Sequence, residues 1–259
     1  QVQQSLSSGT TNTLFGDLPG AMHVPKPKIA PCEPWTLTEL LNYEKEVTGM
    51  FMSGHPLDHF RFELKHYEIT NIADFNEVRD ALVEGSSLGK MYRVAGLVTD
   101  VQHRMTKTGK NFGSFVIEDY SGKTEYMLWS EDYIKYKDYL EKGQNILLNG
   151  YFRNRYNQPN LFEFKISSMS LLETVKQQLT RSVEINMHPS AVTPAMVGFI
   201  EKNLKTYPGK STLRINIMEP KENLKISMYT IERGFQMNEE MADYLMNNLD
   251  VEVKVGLVS

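Results

Sequence analysis

Between Met91 and Leu172 short apolar runs alternate with turn residues, a rhythm that fits a small antiparallel β-structure and little else. The first run, Met91 to about Gln102, is long and apolar, and the turn Thr106-Lys107-Thr108-Gly109-Lys110 follows it. Phe115 to Asp119 form a second strand, Ser121-Gly122 a turn, and Tyr126 to Trp129 a third strand. A short polar helix, Glu131 to Leu140, leads to a fourth strand at Asn145–Arg153. A polar loop, 154–160, then leads to the fifth at Leu161–Leu172. Five strands with a helix between the third and fourth predict an OB-fold barrel over 89–173. Such barrels bind oligonucleotides on the faces of strands 2 and 3, framed by the 1–2 and 4–5 loops.

Those loops hold the basic side chains. Arg104, Lys107 and Lys110 surround the first, and Arg153 and Arg155 surround the second. A single strand needs cations along its phosphates and aromatic faces for its bases. Phe112, Tyr126, Trp129, Tyr156 and Phe162 interleave with the cations. Strand alternation turns Phe115, Ile117 and Tyr126 inward and sets Phe112 and Trp129 outside with Glu125. The expected contact set is therefore Arg104, Lys107, Lys110, Phe112, Trp129, Arg153, Arg155 and Tyr156. For each aromatic taken alone, ordinary packing competes evenly with base stacking.

Charge supports a local rather than a global role. The 259-residue chain carries a net charge of −4, which argues against a protein that coats duplex DNA. Residues 90–172 hold 12 Lys/Arg against 9 Asp/Glu, whereas the rest holds 16 against 23. A mildly basic barrel inside an acidic chain suits nucleic acid at the barrel and protein partners elsewhere. The single Cys32 excludes an internal disulfide and fits a reducing cytoplasm. No apolar run approaches the roughly 20 residues that span a bilayer. The chain opens Gln-Val-Gln-Gln with neither Met nor signal peptide, as expected of a fragment of something larger.

Around the barrel the composition changes. Residues 1–35, rich in Ser, Thr, Gly and Pro, read as a linker in which the apolar pair Leu14-Phe15 is embedded. Residues 36–88 read as a helical segment, opened by the capping box Thr36-Leu37-Thr38-Glu39 and broken at Ser53-Gly54-His55-Pro56. Phe60 to Tyr67 is expected as a second helix, and 68–88 as a polar connector with a helical turn near Phe75–Leu82. Glu173 to Thr180 reads as a charged linker. The tail, 180–259, has a β-α-β-β-α-β pattern with helices near Pro194–Thr206 and Asn238–Asn248, an order resembling ferredoxin-like domains. The fold class is α+β and multidomain.

Catalytic constellations are lacking. His55 and His59 are four apart, but Pro56 breaks the helix that zinc ligation would need, and no Glu follows His55. A loop histidine bonded to backbone is the preferred reading. Glu118-Asp119 suits a turn better than a metal site, and Cys32 has nothing nearby to activate it. No catalytic residue, metal or cofactor is assigned to this chain.

One segment carries a family resemblance. Residues 43–58, YEKEVTGMFMSGHPLD, resemble the signature that precedes the OB domain in the alpha subunit of bacterial DNA polymerase III. The stretches VAGLVTDV, MTKTGK, FVIEDYSGKTEYMLW and LNGYF are similar to that subunit's OB domain, and Cys32-Glu33-Pro34-Trp35 to the segment before it. The resemblance implies the C-terminal part of a DNA-directed DNA polymerase, a nucleotidyltransferase of DNA replication. Its active site and Mg²⁺ ions would lie in a missing upstream domain. It implies a clamp-binding peptide at Thr11–Phe15, with Leu14 and Phe15 as anchors and Thr11 replacing the family's Gln. It also implies that the tail contacts the tau subunit of the clamp loader. The expected partners are thus single-stranded DNA, the sliding clamp and the clamp loader, with no membrane. An anticodon-binding module of an aminoacyl-tRNA synthetase and a purely structural OB spacer are the alternatives.

Overall fold

The computed structural model describes residues 33–82, 88–155, 158–219, 221, 223–231, 234–248 and 250–258. The chain divides after Met50 into two compact units. In the first, helix α1 (Leu37–Thr48) starts at the expected capping box: Glu39 N–H donates to Thr36 Oγ1 (3.3 Å), and Thr36 N–H donates to Glu39 Oε2 (2.9 Å). Gly49 ends it at φ 81°, the left-handed geometry that favours glycine. The SGHPLD stretch falls in the second unit.

The second unit opens with a 3₁₀ turn (Pro56–Phe60), helix α2 (Arg61–His66), strand β1 (Ile69–Thr70) and helix α3 (Ile72–Asp80). The barrel strands follow: β2 (Met91–Met105), β3 (Asn111–Glu118), β4 (Lys123–Trp129), β5 (Asn145–Arg155) and β6 (Gln158–Leu171). Helix α4 (Ser130–Tyr136) stands between β4 and β5. Their order across the sheet is β4-β3-β2-β5-β6, all antiparallel. This is the OB arrangement; β2 pairs with both β3 and β5 by bending near Gly96 and a bulge at Val98/Asp100. A Cβ on Gly96 would sit 2.9 Å from Glu118 O, so only glycine lets the strands pass there. Phe115, Ile117, Tyr126, Leu128, Ile146, Leu148 and Phe152 fill the interior, as alternation predicts. Phe75 of α3 plugs it, against Phe152 (5.3 Å) and Phe164 (4.9 Å).

The expected linker at 173–180 is instead helix α5 (Leu172–Leu179), which buries Leu172, Val175 and Lys176. Its charges spread around a face whose apolar members recur at helical spacing, and burial of that face overrides the polar composition. The tail follows as strands β7 (Thr180–Met187), β8 (Pro208–Gly209), β9 (Thr212–Glu219), β10 (Leu224–Tyr229), β11 (Gly234–Phe235) and β12 (Val251–Leu257), with helices α6 (Pro194–Thr206) and α7 (Glu239–Asn247). The main strands and helices follow the expected β-α-β-β-α-β order, but the ferredoxin-like arrangement of strands within the sheet is not realised. The sheet runs β10-β9-β7-β12, with β7 and β9 directly paired in parallel. Helix α6 makes a plain βαβ crossover, and β10 takes the edge rather than the centre. Met196 and Ile200 of α6 are core, while Phe199 stacks on Tyr244 of α7 (4.2 Å).

Barrel and tail share one apolar core. Leu57, Phe60, Phe62 and Tyr67 from the SGHPLD side meet Ala95 and Leu147 of the barrel, Leu172 and Val175 of α5, and Val183, Met241 and Leu245 of the tail. Within it Lys176 Nζ donates to Glu63 Oε1 (2.6 Å) and Glu239 Oε2 (2.7 Å). Glu63 is fully enclosed. Burial pushes the Glu63 carboxyl up, opposed by Lys176. Burial also disfavours the Lys176 ammonium, but its bonds to Glu239 and Glu63 outweigh this and raise its pKa. Truncating one partner of a buried pair strands the other charge, at roughly 3–5 kcal/mol. Lys176→Met should therefore lower stability by about 3–5 kcal/mol in denaturant unfolding. The double variant with Glu63→Gln should recover most of it, and equal losses in both would refute the pairing.

Candidate nucleic-acid interface

Three strands carry one row of side chains across the outer face of the barrel. Arg104 on β2 lies opposite Phe112 on β3, and Phe112 opposite Trp129 on β4. The two rings stack with centroids 4.8 Å apart and planes inclined by 13°. Trp129 remains 45% exposed, so the step is open to solvent on its outer side. The next row holds Gln102, Ser114 and Met127. Gln102 Oε1 accepts from Arg104 Nη2, which ties the guanidinium to the second row along β2. Farther down the face the character turns acidic, with Asp100, Glu118, Lys123 and Glu125; Asp100 is bound by Lys142 (2.7 Å). An anionic chain therefore finds its favourable path at the Arg104 end.

The β2–β3 turn beside that row is built tightly. Thr106 N–H donates to Lys110 O (2.8 Å), Lys110 N–H to Thr106 Oγ1 (3.0 Å), and Gly109 adopts φ 77°. Lys107 and Lys110 project from this rigid turn, exposed and without an ion pair to any described residue. On the other side, Arg153 and Arg155 differ. Arg153 is held by Glu163 through Nε (2.8 Å) and Nη2 (2.6 Å), a cross-strand pair that neutralises much of its charge. Arg155 is exposed and has no partner among the described residues. Tyr156, Leu14 and Phe15 lie outside the described residues.

Two adjoining clefts separate the edges of β4 and β6. The larger, about 340 Å³, is lined by Met127, Trp129, Arg155, Phe164 and two ion pairs, Arg153–Glu163 and Asp132–Lys165. The smaller, about 220 Å³, shares Met127, Trp129 and Arg155 and adds Phe75, Tyr126 and Phe162. Sequence reasoning missed Met127 and Lys165. Alternation alone would have set Met127 beside Trp129. Lys165 enters only through its contact with α4, which local pattern cannot show. Among the described residues no group of His, Cys, Asp and Glu converges as a metal site requires.

An open sheet of five antiparallel strands in this order defines an OB-fold domain. Residues 92–172 match the family described as OB-fold nucleic acid binding domain, and residues 183–256 match the family described as DNA polymerase III alpha subunit, C-terminal domain. The chain is similar to DNA polymerase III subunit alpha of Haemophilus influenzae (26% identity, covering 71% of this chain and 15% of the relative) and of Bacillus subtilis (25%, covering 78% and 17%). With the subunit of Escherichia coli K12 it shares 29% identity over 53% of this chain and 11% of the relative. The resemblance to the C-terminal region of that subunit thus extends over both the barrel and the tail. The chain spans less than a fifth of the length of these relatives. A single-stranded DNA binding protein of Mycobacterium smegmatis overlays 32% of this chain and 87% of its own at 12% identity; its TM-score of 0.23 is too low to add to the strand order above.

The SGHPLD stretch, which bears the resemblance, is a brace. His55 Nδ1 accepts from Leu57 N–H (3.1 Å), and Asp58 Oδ2 accepts from His55 N–H (2.7 Å), a reciprocal cap for the turn at Pro56. Tyr120, from the β3–β4 turn, packs on the His55 ring and donates its hydroxyl to Asp58 Oδ1 (2.7 Å). Asp119 orders the same turn, accepting from Ser121 and Gly122 N–H, and its other oxygen accepts from Ile72 N–H at the start of α3. His55 is thus a capping residue, as the sequence suggests, while Glu118 closes strand β3 and Asp119 orders the turn after it. Burial opposes ionisation of Asp58, but the His55 amide, Tyr120 and Arg61 outweigh it and hold its pKa at about 2, below the ordinary 3.8. A depressed carboxylate adds stability above its unfolded pKa and loses it as pH falls through the folded one. Melting temperature should therefore fall between about pH 4 and pH 2 in part through Asp58. Asp58→Asn should be less stable at neutral pH and show a shallower acid slope; an unchanged slope would contradict the assignment.

Proposed function

We propose that this chain is a non-catalytic accessory region of a replicative DNA polymerase, whose barrel holds single-stranded template DNA. The observation that carries the reading is the Arg104–Phe112–Trp129 row, bracketed by Lys107 and Lys110 on one side and Arg155 on the other. Stacking on an aromatic face contributes about 1–3 kcal/mol per base and is tolerant of sequence, as template handling requires. Phosphate contacts add affinity without information. Arg153 contributes least, because Glu163 already neutralises it. The similarity to DNA polymerase III subunit alpha supports replication as the setting, with polymerisation and its Mg²⁺ ions assigned to other parts of a longer protein.

Two partner assignments complete the reading. Leu14 and Phe15 would anchor the sliding clamp, and the tail would contact the clamp-loader tau subunit, in the cytoplasm. Among the described residues no helix is long and apolar enough to cross a membrane.

Labelled oligo-dT titrated across a salt series tests the DNA reading. Binding should weaken with salt, with a log–log slope of about 0.7 per phosphate contact. Lys107→Ala and Arg155→Ala should each weaken binding and flatten the slope by about that increment. Absence of binding at low salt would leave the barrel as a structural spacer.

A further inference from the structure

In a closed five-stranded barrel the two end strands meet; here β4 and β6 are the ends of the strand path and do not pair. Their edges flank the two clefts, which share Met127, Trp129, Arg155, Glu163 and Phe164. The larger falls at the low end of the range of about 300–1,000 Å³ usual for small-molecule sites. The lining combines flat apolar groups with few charges left unpaired. Trp129, Met127, Phe162 and Phe164 supply the apolar surface. Glu163 is bound to Arg153, and Asp132 to Lys165, so Arg155 is the lining cation without a partner among the described residues.

A second observation lies in the smaller cleft. Tyr126 lines it, and its hydroxyl is enclosed with no hydrogen-bond partner among the described residues. Thr124 lines the same cleft, and its hydroxyl accepts from Arg79 Nη1 (3.2 Å). Burial pushes the phenol pKa up, and a neutral phenol can both donate and accept. An enclosed polar group without a partner costs about 1–3 kcal/mol and calls for an explanation.

We propose that the open seam between β4 and β6 is a nucleotide subsite: one base of the bound single strand turns off the outer face and inserts between the edges. Its plane lies against Trp129 and Met127, its polar edge bonds the Tyr126 hydroxyl, and its phosphate meets Arg155. This rests on the single-strand reading above. It adds that the barrel recognises a base inside the seam as well as stacking bases on its face.

The test compares a dT oligomer with a fully abasic oligomer of equal length, by anisotropy at low salt, for the wild-type chain and Tyr126→Phe. Wild type should prefer the dT oligomer. Tyr126→Phe should reduce dT affinity about two- to tenfold, the worth of one net hydrogen bond. Abasic binding should stay the same, and the melting temperature should not fall, because the change removes an unsatisfied hydroxyl. Unchanged dT affinity in Tyr126→Phe overturns the subsite while leaving surface stacking intact. Equal wild-type affinity for both oligomers also overturns it and leaves electrostatic tracking alone. No binding of either oligomer overturns the single-strand reading and the subsite together.

Discussion

The buried ammonium of Lys176 is the constraint around which the second unit is organised. It sits between Glu63, from the segment before the barrel, and Glu239, from the last helix of the tail, while its own helix leaves the last barrel strand. A desolvated charge tolerates little displacement, so three segments distant in sequence are held in one geometry. Neutral bonds extend the arrangement. The Tyr67 hydroxyl meets Thr180 Oγ1 (2.6 Å), and Ser211 Oγ donates to Thr180 O (2.8 Å), joining the α2 side to β7 and the β8–β9 turn. Around these polar contacts the shared apolar core supplies most of the stabilisation, and the ion pair supplies direction.

This joint frees the far side of the barrel. The α2, α5 and tail contacts cover Ala95 and Leu147, whereas the Phe112–Trp129 step is on a face left to solvent. The SGHPLD brace acts at another edge, fixing the β3–β4 turn through Asp58 and Tyr120. Both strands that carry the aromatic step are thus anchored at that turn. A stacking platform with fixed spacing gives up less conformational freedom when a base docks.

Much of this was legible in the sequence, for physical reasons. Period-two alternation identified the five barrel strands and sorted Phe115 and Ile117 inward from Phe112 and Trp129, because burial on one face imposes that period. The capping box at Thr36 was visible because its chemistry is local. What remained hidden depends on long-range pairing. Lys176 looked like part of a charged linker because its two carboxylates come from residues 63 and 239. The direct parallel pairing of β7 with β9 has no local signature, so the tail read as ferredoxin-like. Arg153 looked like a free cation because its neutraliser, Glu163, faces it only once the β5–β6 register is set. The open seam follows from a pairing that does not occur, and no pattern in the chain announces that.

The central claim is that bases stack on the outer face at Trp129. The chain has two tryptophans, so Trp35→Phe leaves Trp129 as the sole indole reporter. Titrating that variant with oligo-dT should quench its emission saturably, in step with anisotropy of the labelled strand, and both signals should shift together with salt. Binding seen by anisotropy with Trp129 emission unchanged would contradict the account.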